Sequence, residues 1–391
     1  MTCVRVVVLL ALGCSVEVTG GASTDGSDDG TESEGPSSGT APTTSSTSSS
    51  ASTSDSEASS ASEPSTSDAS STTASSGDTS SSGSTGDPIE EPSAIVTGIF
   101  GLTTIALDAD RVYWGETGAV VASIRAVSRD DGEVDILAGS EPYPPEGLVV
   151  DDTHAYWFHY FTVRRAPLDG GAAEDVGTLP STVSAIGLDG DFVYVATWPD
   201  APDEAGFHRL DKSGGDPTPL TETPATCEGT ILVEGGELVC IGYDPYGGGE
   251  GLVVLPVEGG SPGFIDELFA NGNGNFLVRD GDDFYWSRGA FCSSRCYDGQ
   301  VRRATFGENT PSNELLPFGT NIFSGFAVGG DSMFYSEDTP SLRRLPKDGG
   351  EEEFFGEYPL ISTPTLIVAD ADAAYVVNDL AITQDIVEFP Q

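Results

Sequence analysis

From residue 93 onward the chain repeats one pattern: a short apolar run, a polar break rich in Asp and Gly, and a second apolar run carrying an aromatic near its end. The best-defined copy is IALDADRVYW, from Ile105 to Trp114. Weaker copies follow at Leu148–Trp157, Ile186–Val195, Ile231–Cys240, Leu277–Trp286, Ala327–Ser336 and Ile367–Val376. Apolar runs of this length separated by tight-turn residues predict two strands joined by a hairpin. The penultimate column holds Tyr113, Tyr156, Tyr194, Val239, Tyr285, Tyr335 and Tyr375, so one large side chain is placed at an equivalent site in nearly every copy.

Downstream of six copies lies a third strand ending in a turn: IRAVSRDDG from Ile124, VRRAPLDGG from Val163, FHRLDKSGG from Phe207, LVVLPVEGG from Leu252, VRRATFGEN from Val301 and LRRLPKDGG from Leu342. The terminal Gly, Asp or Asn supplies positive φ for a hairpin into a fourth strand such as VDILA, EDVGTL or EEFFGE. Each copy therefore predicts a four-stranded unit. The aligned positions Asp108, Asp151, Asp189, Glu234, Asp280, Gly330 and Asp370 are 43, 38, 45, 46, 50 and 40 residues apart, the period of a propeller blade. The seventh unit stops inside its third strand at IVEFPQ, while AIVTGIF (Ala94–Phe100) stands unattached before the first unit. The expectation is an all-β propeller of seven four-stranded blades, residues 93–391, whose last blade is closed by the N-terminal strand; six or eight blades are the alternatives. Closure removes two sheet edges that would otherwise invite pairing with other chains.

The apolar-Asp-aromatic-Tyr-Trp hairpins and the Asp-Gly-Gly turns resemble the YWTD-type and Tol-type β-propellers of bacterial and receptor ectodomains. Such relatives usually have six blades, and the resemblance implies a function of binding.

The N-terminus changes the picture. Residues 1–13 carry one charge at Arg5 and an unbroken apolar run from Val6 to Leu12, and Gly13 precedes Cys14. This predicts a bacterial lipoprotein signal with Cys14 acylated, placing the chain in the cell envelope on the outer membrane, at its surface or periplasmic face. An ordinary secretion signal is the alternative. Residues 14–92 are Ser, Thr, Gly, Ala and acids with no Lys, Arg or aromatic. Such a composition buries too little apolar surface to offset its ordering entropy, so a disordered tether is expected.

Charge excludes one class of partner. The chain holds 63 acids and 16 bases; the tether contains 14 of the acids and none of the bases, leaving 49 acids against 15 bases from residue 93 onward. Nucleic acid is therefore not an expected partner. Eleven of the bases fall in the third-strand segments: Arg125, Arg129, Arg164, Arg165, Arg209, Lys212, Arg302, Arg303, Arg343, Arg344 and Lys347. Repeated at equivalent sites, they are expected to pair with acids of adjacent strands or blades rather than form one ligand patch.

Of the six cysteines, Cys292 and Cys296 in FCSSRCYDG predict a small disulfide, and Cys227 and Cys240, flanking a strand of the fourth unit, form a second candidate pair. Zinc is a poor rival with two thiolates and no nearby His. No nucleophile elbow, Walker loop, dinucleotide fingerprint or zincin helix occurs. His154 and His159 lie near Asp151 and Asp152, yet the Asp recurs at the same column elsewhere, so a turn role is expected. The turns Asp280–Asp283 and Asp370–Asp372 leave weak Ca²⁺ binding open; no cofactor or metal site is otherwise expected.

The expected function is therefore a monomeric, non-catalytic binding module for a protein or glycan. A calcium-dependent propeller hydrolase or lyase is the alternative, and an envelope spacer the second. In a propeller the longer connections gather on one face, where Tyr143, Trp198, Tyr243, Tyr246, Phe291 and Tyr297 are the predicted partner-binding residues.

Overall fold

The computed structural model describes residues 92–198, 206–221, 226–243, 250–268, 276–288, 299–308, 316–320, 325–336, 342–354, 366–380 and 383–391. All regular structure among them is β-strand. Cys14, the leader, the tether to residue 91 and the Cys292/Cys296 pair lie outside the described residues.

The first unit shows the plan. Its strands Leu102–Leu107, Arg111–Glu116, Ala122–Ser128 and Val134–Glu141 pair antiparallel in chain order. Four more sheets have four strands, and one sheet has eight. In the eight-stranded sheet the third and fourth units are joined by a parallel pair, Ala185 to Gly229 and Ile186 to Thr230. Gly187 lets them approach: a Cβ there would stand 2.1 Å from Ile231 O. The expected seven separate four-stranded sheets are thus replaced by six sheets, because two inner strands pair across a unit boundary.

The chain ends meet. Ser93–Ile99 runs antiparallel to Thr383–Pro390, with Ser93 opposite Glu388, Ala94 opposite Val387, Val96 opposite Ile386 and Ile99 opposite Gln384. Asp385 Oδ1 accepts from Gly98 N at 3.0 Å, and the Gln384 carboxamide accepts from Leu102 N. Ile386–Pro390 therefore has the Ala94 strand on one side and Ala373–Leu380 on the other.

The core lies between units and is built by two adjacent columns of the second strand. Successive side chains on a strand face opposite ways, so the Tyr column meets the following unit and the next residue meets the preceding one. Tyr113 shares a core cluster with Trp157, Tyr156 with Val195, Tyr194 with Cys240, Val239 with Trp286 and Phe334 with Val376. Tyr285 and Tyr335, and Tyr375 and Trp114, occupy a further cluster that continues across the meeting of the chain ends.

That arrangement corrects one position of the repeat. In the sixth unit Gly329 faces Ser332 across a two-residue turn, as Asp280 faces Asp283 in the fifth. Phe334 therefore takes the Tyr position and Tyr335 takes the Trp position, one residue away from the ungapped alignment, and Gly329 rather than Gly330 stands in the Asp column.

Candidate functional site

The units present two ends, and their chemistry differs. At the end carrying the short turns, Asp side chains close the hairpins. Asp108 Oδ1 accepts from the N–H of Asp110 (2.9 Å) and Arg111 (2.8 Å). Asp151 does the same for Thr153 and His154, Asp189 for Asp191 and Phe192, and Asp370 for Asp372 and Ala373. This Asx geometry is the reason for the Asp column.

The second carboxylate oxygen then ties strands or units together. Tyr113 Oη donates to Asp108 Oδ2 and Tyr194 Oη to Asp189 Oδ2, each at 2.6 Å. Burial first, then the Asp108 hydrogen bond, push the Tyr113 hydroxyl well above its ordinary range. Elsewhere a cation from the following unit does the tying: Arg129 to Asp370 (2.5 Å), Lys212 to Asp151 (2.7 Å) and Lys347 to Asp280. Burial alone would raise Asp151, but hydrogen bonds from Lys212 and from the N–H groups of Thr153 and His154 outweigh it and hold the carboxyl at about 2. Where the cation column carries Gln391, its carboxamide donates to Asp370 O and lies beside Gly330.

Among the described residues, Arg125, Arg129, Arg164, Arg165, Arg209, Lys212, Arg303, Arg343 and Lys347 of the third strands each pair with an acid, within a unit or across to the next. Their pairing with acids matches the expectation from their spacing. His154 sits in this turn system too, its Nδ1 2.8 Å from Thr153 Oγ1. Among the described residues no three of His, Cys, Asp or Glu stand together as a metal set.

The opposite end gathers side chains that the turns do not use. Tyr143 follows the fourth strand of the first unit, His159, Tyr160 and Phe161 form the hairpin between the second and third strands of the second unit, and Trp198 follows the second strand of the third. Tyr143 is 48% exposed, Tyr160 52%, Phe161 42% and Trp198 37%. Tyr143 and Tyr160 stand perpendicular with centroids 4.9 Å apart, and Tyr143 meets the His159 ring at 5.5 Å. Val183 N donates to Tyr160 O (2.6 Å) and Trp198 N to Thr182 O (2.8 Å), so one short backbone stretch links Tyr160 to Trp198.

The backbone here is strained. Among the described residues the non-glycine positive φ values are Ser140 at 68° and Tyr160 at 49°. Tyr160 occupies the first position of the two-residue turn closed by His159 and Thr162, where glycine is the usual occupant. Such a conformation costs on the order of 1 kcal/mol and clusters at functional sites. Ser140 directly precedes Glu141, whose buried carboxylate accepts from Trp157 Nε1 (3.2 Å) and Arg164 (2.6 Å). His159 is 8% exposed, and its Nε2 has no hydrogen-bond partner among the described residues.

A separate cavity of about 550 Å³ lies between the N-terminal strand and the first unit, with Phe100, Val120, Val121 and Val134 in its walls. Its acidic group is already engaged: Glu116 accepts from Arg125 at 2.7 Å and from Ser123 at 2.9 Å.

Of the predicted partner residues, Tyr143 and Trp198 are exposed, Tyr143 against Tyr160. Tyr243 ends the strand Glu237–Tyr243, while Tyr246, Phe291 and Tyr297 lie outside the described residues. Tyr160 and Phe161 were not singled out from sequence, although HYFT carries a readable signal: a hairpin with no Gly, Asn or Asp at its turn. Cys227 and Cys240 form a disulfide with Cα atoms 6.0 Å apart, both buried, within the usual span.

No protein-family model matches the chain, and no curated protein matches it. Solved structures do. The chain is similar to an oligogalacturonate lyase in complex with manganese (TM-score 0.54, 10% identity, 72% of this chain and 86% of that one). It is similar to the Neurospora crassa Pan2 WD40 domain (0.53, 8%, 75% and 90%) and to the WD40 β-propeller domain of Doa1 (0.50, 10%, 76% and 96%). At these identities the likeness is one of fold. The chain carries a β-propeller.

Proposed function

We propose that the protein is a membrane-anchored, seven-bladed propeller that binds a partner through the end bearing Tyr143, Tyr160 and Trp198, without catalysis. The eight-stranded sheet counts as two blades in this reading, since the third and fourth units each keep a four-strand antiparallel order and join only through Ala185–Ile186 and Gly229–Thr230. Acylation at Cys14 and a long acidic tether would hold the domain off the outer membrane of a bacterial cell.

One observation carries the binding reading. A tyrosine holds a strained turn position beside the exposed ring of Tyr143, where glycine would fit without strain. Aromatic anchors on a preformed surface are what binding hot spots use. By contrast, the cations that a lyase or hydrolase would need are spent on structural pairs. The oligogalacturonate lyase fold keeps a metal-dependent enzyme as the second reading.

Two measurements decide between them. Capture of a partner from envelope extract by the full chain, lost on Tyr143→Ala and Trp198→Ala, supports binding; no loss with either variant points to a spacer. Tight stoichiometric uptake of Ca²⁺ or Mn²⁺ would favour the enzyme.

A further inference from the structure

We infer that the N-terminal strand Ser93–Ile99 pairs with the same strand of a second copy of this chain, antiparallel across a twofold axis, so that the chain forms a dimer rather than the monomer expected from sequence. Among the described residues this strand pairs on one side only, with Thr383–Pro390, and stands at the end of its sheet. Its outer row of backbone N–H and C=O groups is a template for another strand, and such edges are ordinarily guarded by charge or proline. The other outer strands follow that rule. Val134–Glu141, Glu174–Thr178, Gly263–Leu268 and Glu353–Phe354 carry Asp135, Glu174, Asp266 and Glu353, while Thr218–Pro219 and Leu316–Thr320 carry Pro219 and Pro317. Ser93–Ile99, SAIVTGI, has neither guard. Register shifts between Ala94 and Val96 and between Val96 and Ile99 bend it, which keeps the contact short and the association reversible.

Charge selects the occupant. From residue 93 onward there are 49 acids against 15 bases, so two copies repel at long range, and like charges set opposite each other destabilise a strand pair. The acid-bearing outer strands, each laid against its own copy, would bring acid to acid; the proline-bearing ones lack a ladder donor. Ser93–Ile99 can meet its own copy with neither fault, and an antiparallel pair of identical strands is the self-complementary contact that a twofold dimer requires. The surface beside it is apolar. Phe100, Val121 and Val120, the last 90% exposed, wall the cavity next to Val96–Phe100, and the charges in that wall cancel, Arg125 standing 2.7 Å from Glu116. Antiparallel pairing sets the Phe100 end of each strand against the Ser93 end of the other, where Pro92 ends the ladder.

Sedimentation equilibrium of the full chain over a concentration series, in low and in high NaCl, reads the association. The expected result is an equilibrium of monomer and dimer that tightens with salt, because screening removes the repulsion between acidic copies. Thr97, exposed and uncharged, carries the decisive variants. Thr97→Glu and Thr97→Lys should each weaken the dimer about tenfold with an unchanged melting temperature, since each sets like charges close to the twofold axis. Mixing the two variants should restore a heterodimer, which mixing two misfolded chains would not do. Val120→Asp on the apolar rim should also weaken the dimer. A chain that stays monomeric at every concentration and salt overturns the inference. So does a dimer that weakens as salt is added, or one that Thr97→Glu leaves intact. A monomeric chain that captures an envelope protein, with capture lost in Thr97→Glu, overturns it too, by giving the edge to a different partner. Tyr143→Ala should leave the dimer as it is, so this inference and the binding reading of the aromatic end fail separately.

Discussion

The two ends of the propeller are built from the same hairpins and obey opposite rules. At the turn end Asp108, Asp151, Asp189 and Asp370 each have both carboxylate oxygens occupied, one by backbone N–H groups and the other by Tyr, Lys or Arg, and positive φ values fall on glycines such as Gly170, Gly214 and Gly349. At the other end a tyrosine takes a left-handed turn position, a buried imidazole nitrogen has no partner among the described residues, and the rings of Tyr143, Tyr160, Phe161 and Trp198 are exposed. Satisfied polar groups and relaxed turns are what stability alone would select. Their absence around His159 and Tyr160 is the mark of a surface kept for something else.

The comparison is broken first at the core that both ends share. Trp157→Ala should lower stability by about 3–5 kcal/mol in denaturant unfolding, since the ring fills the contact with Tyr113 and its Nε1 supports Glu141. A loss under 1 kcal/mol would mean the unit contacts are not the core. Removing residues 1–99 should be equally severe in outcome. It uncovers the Thr383–Pro390 edge and should give aggregates in size-exclusion chromatography, whereas removing residues 15–90 should leave a monodisperse protein.

The disulfide comes next. Replacing Cys227 and Cys240 together by Ala should cost about 3 kcal/mol, read as a drop in unfolding free energy matched by reduction of the unmodified chain. Its pairing was visible in the sequence only as one option, because the spacing of 13 residues does not say whether the two strands place both thiols on one face.

Lys212→Met sharpens the turn end, with an expected loss of about 2 kcal/mol near neutral pH, since it strands a largely buried carboxylate. The sign with pH follows from Asp151. Its folded pKa is held at about 2, below the ordinary value near 4, so its contribution is full above about pH 4 and is lost as pH falls toward 2. In Lys212→Met the acid limb between those values should flatten; an unchanged limb would remove Asp151 from the account.

How much of this was legible depended on whether a feature repeats. The Asp and Tyr columns were readable because a turn acceptor and a core ring recur with a common period, and the pairing of cations with acids followed from their equivalent sites. The slip at Tyr335 arose because Gly329, Gly330 and Asp331 fit a hairpin in two registers, and only packing against the seventh unit chooses. The merging of the third and fourth units rests on one close approach of Gly187 to Ile231, which no local pattern encodes. Tyr160 was missed because its one local sign, a turn without Gly, Asn or Asp in HYFT, does not repeat, while its exposure and positive φ belong to the folded chain.

The smallest expected effect on stability belongs to the working end. Tyr160→Gly should stabilise by about 1 kcal/mol, the reverse of what the same change would do at a well-packed tyrosine such as Tyr156. A destabilised variant would show that the ring is part of the core rather than of a surface.

The central claim is that one end binds and the other only holds the ring together. It is tested most directly by titrating two sets of full-chain variants with the same captured envelope protein. Tyr143→Ala, Tyr160→Gly and Trp198→Ala should each weaken binding at least tenfold, while Asp169→Ala, Glu258→Ala and Asp348→Ala on the turn end should change it less than twofold. Weakened binding confined to the Asp169, Glu258 and Asp348 variants would place the working surface at the opposite end and contradict the account.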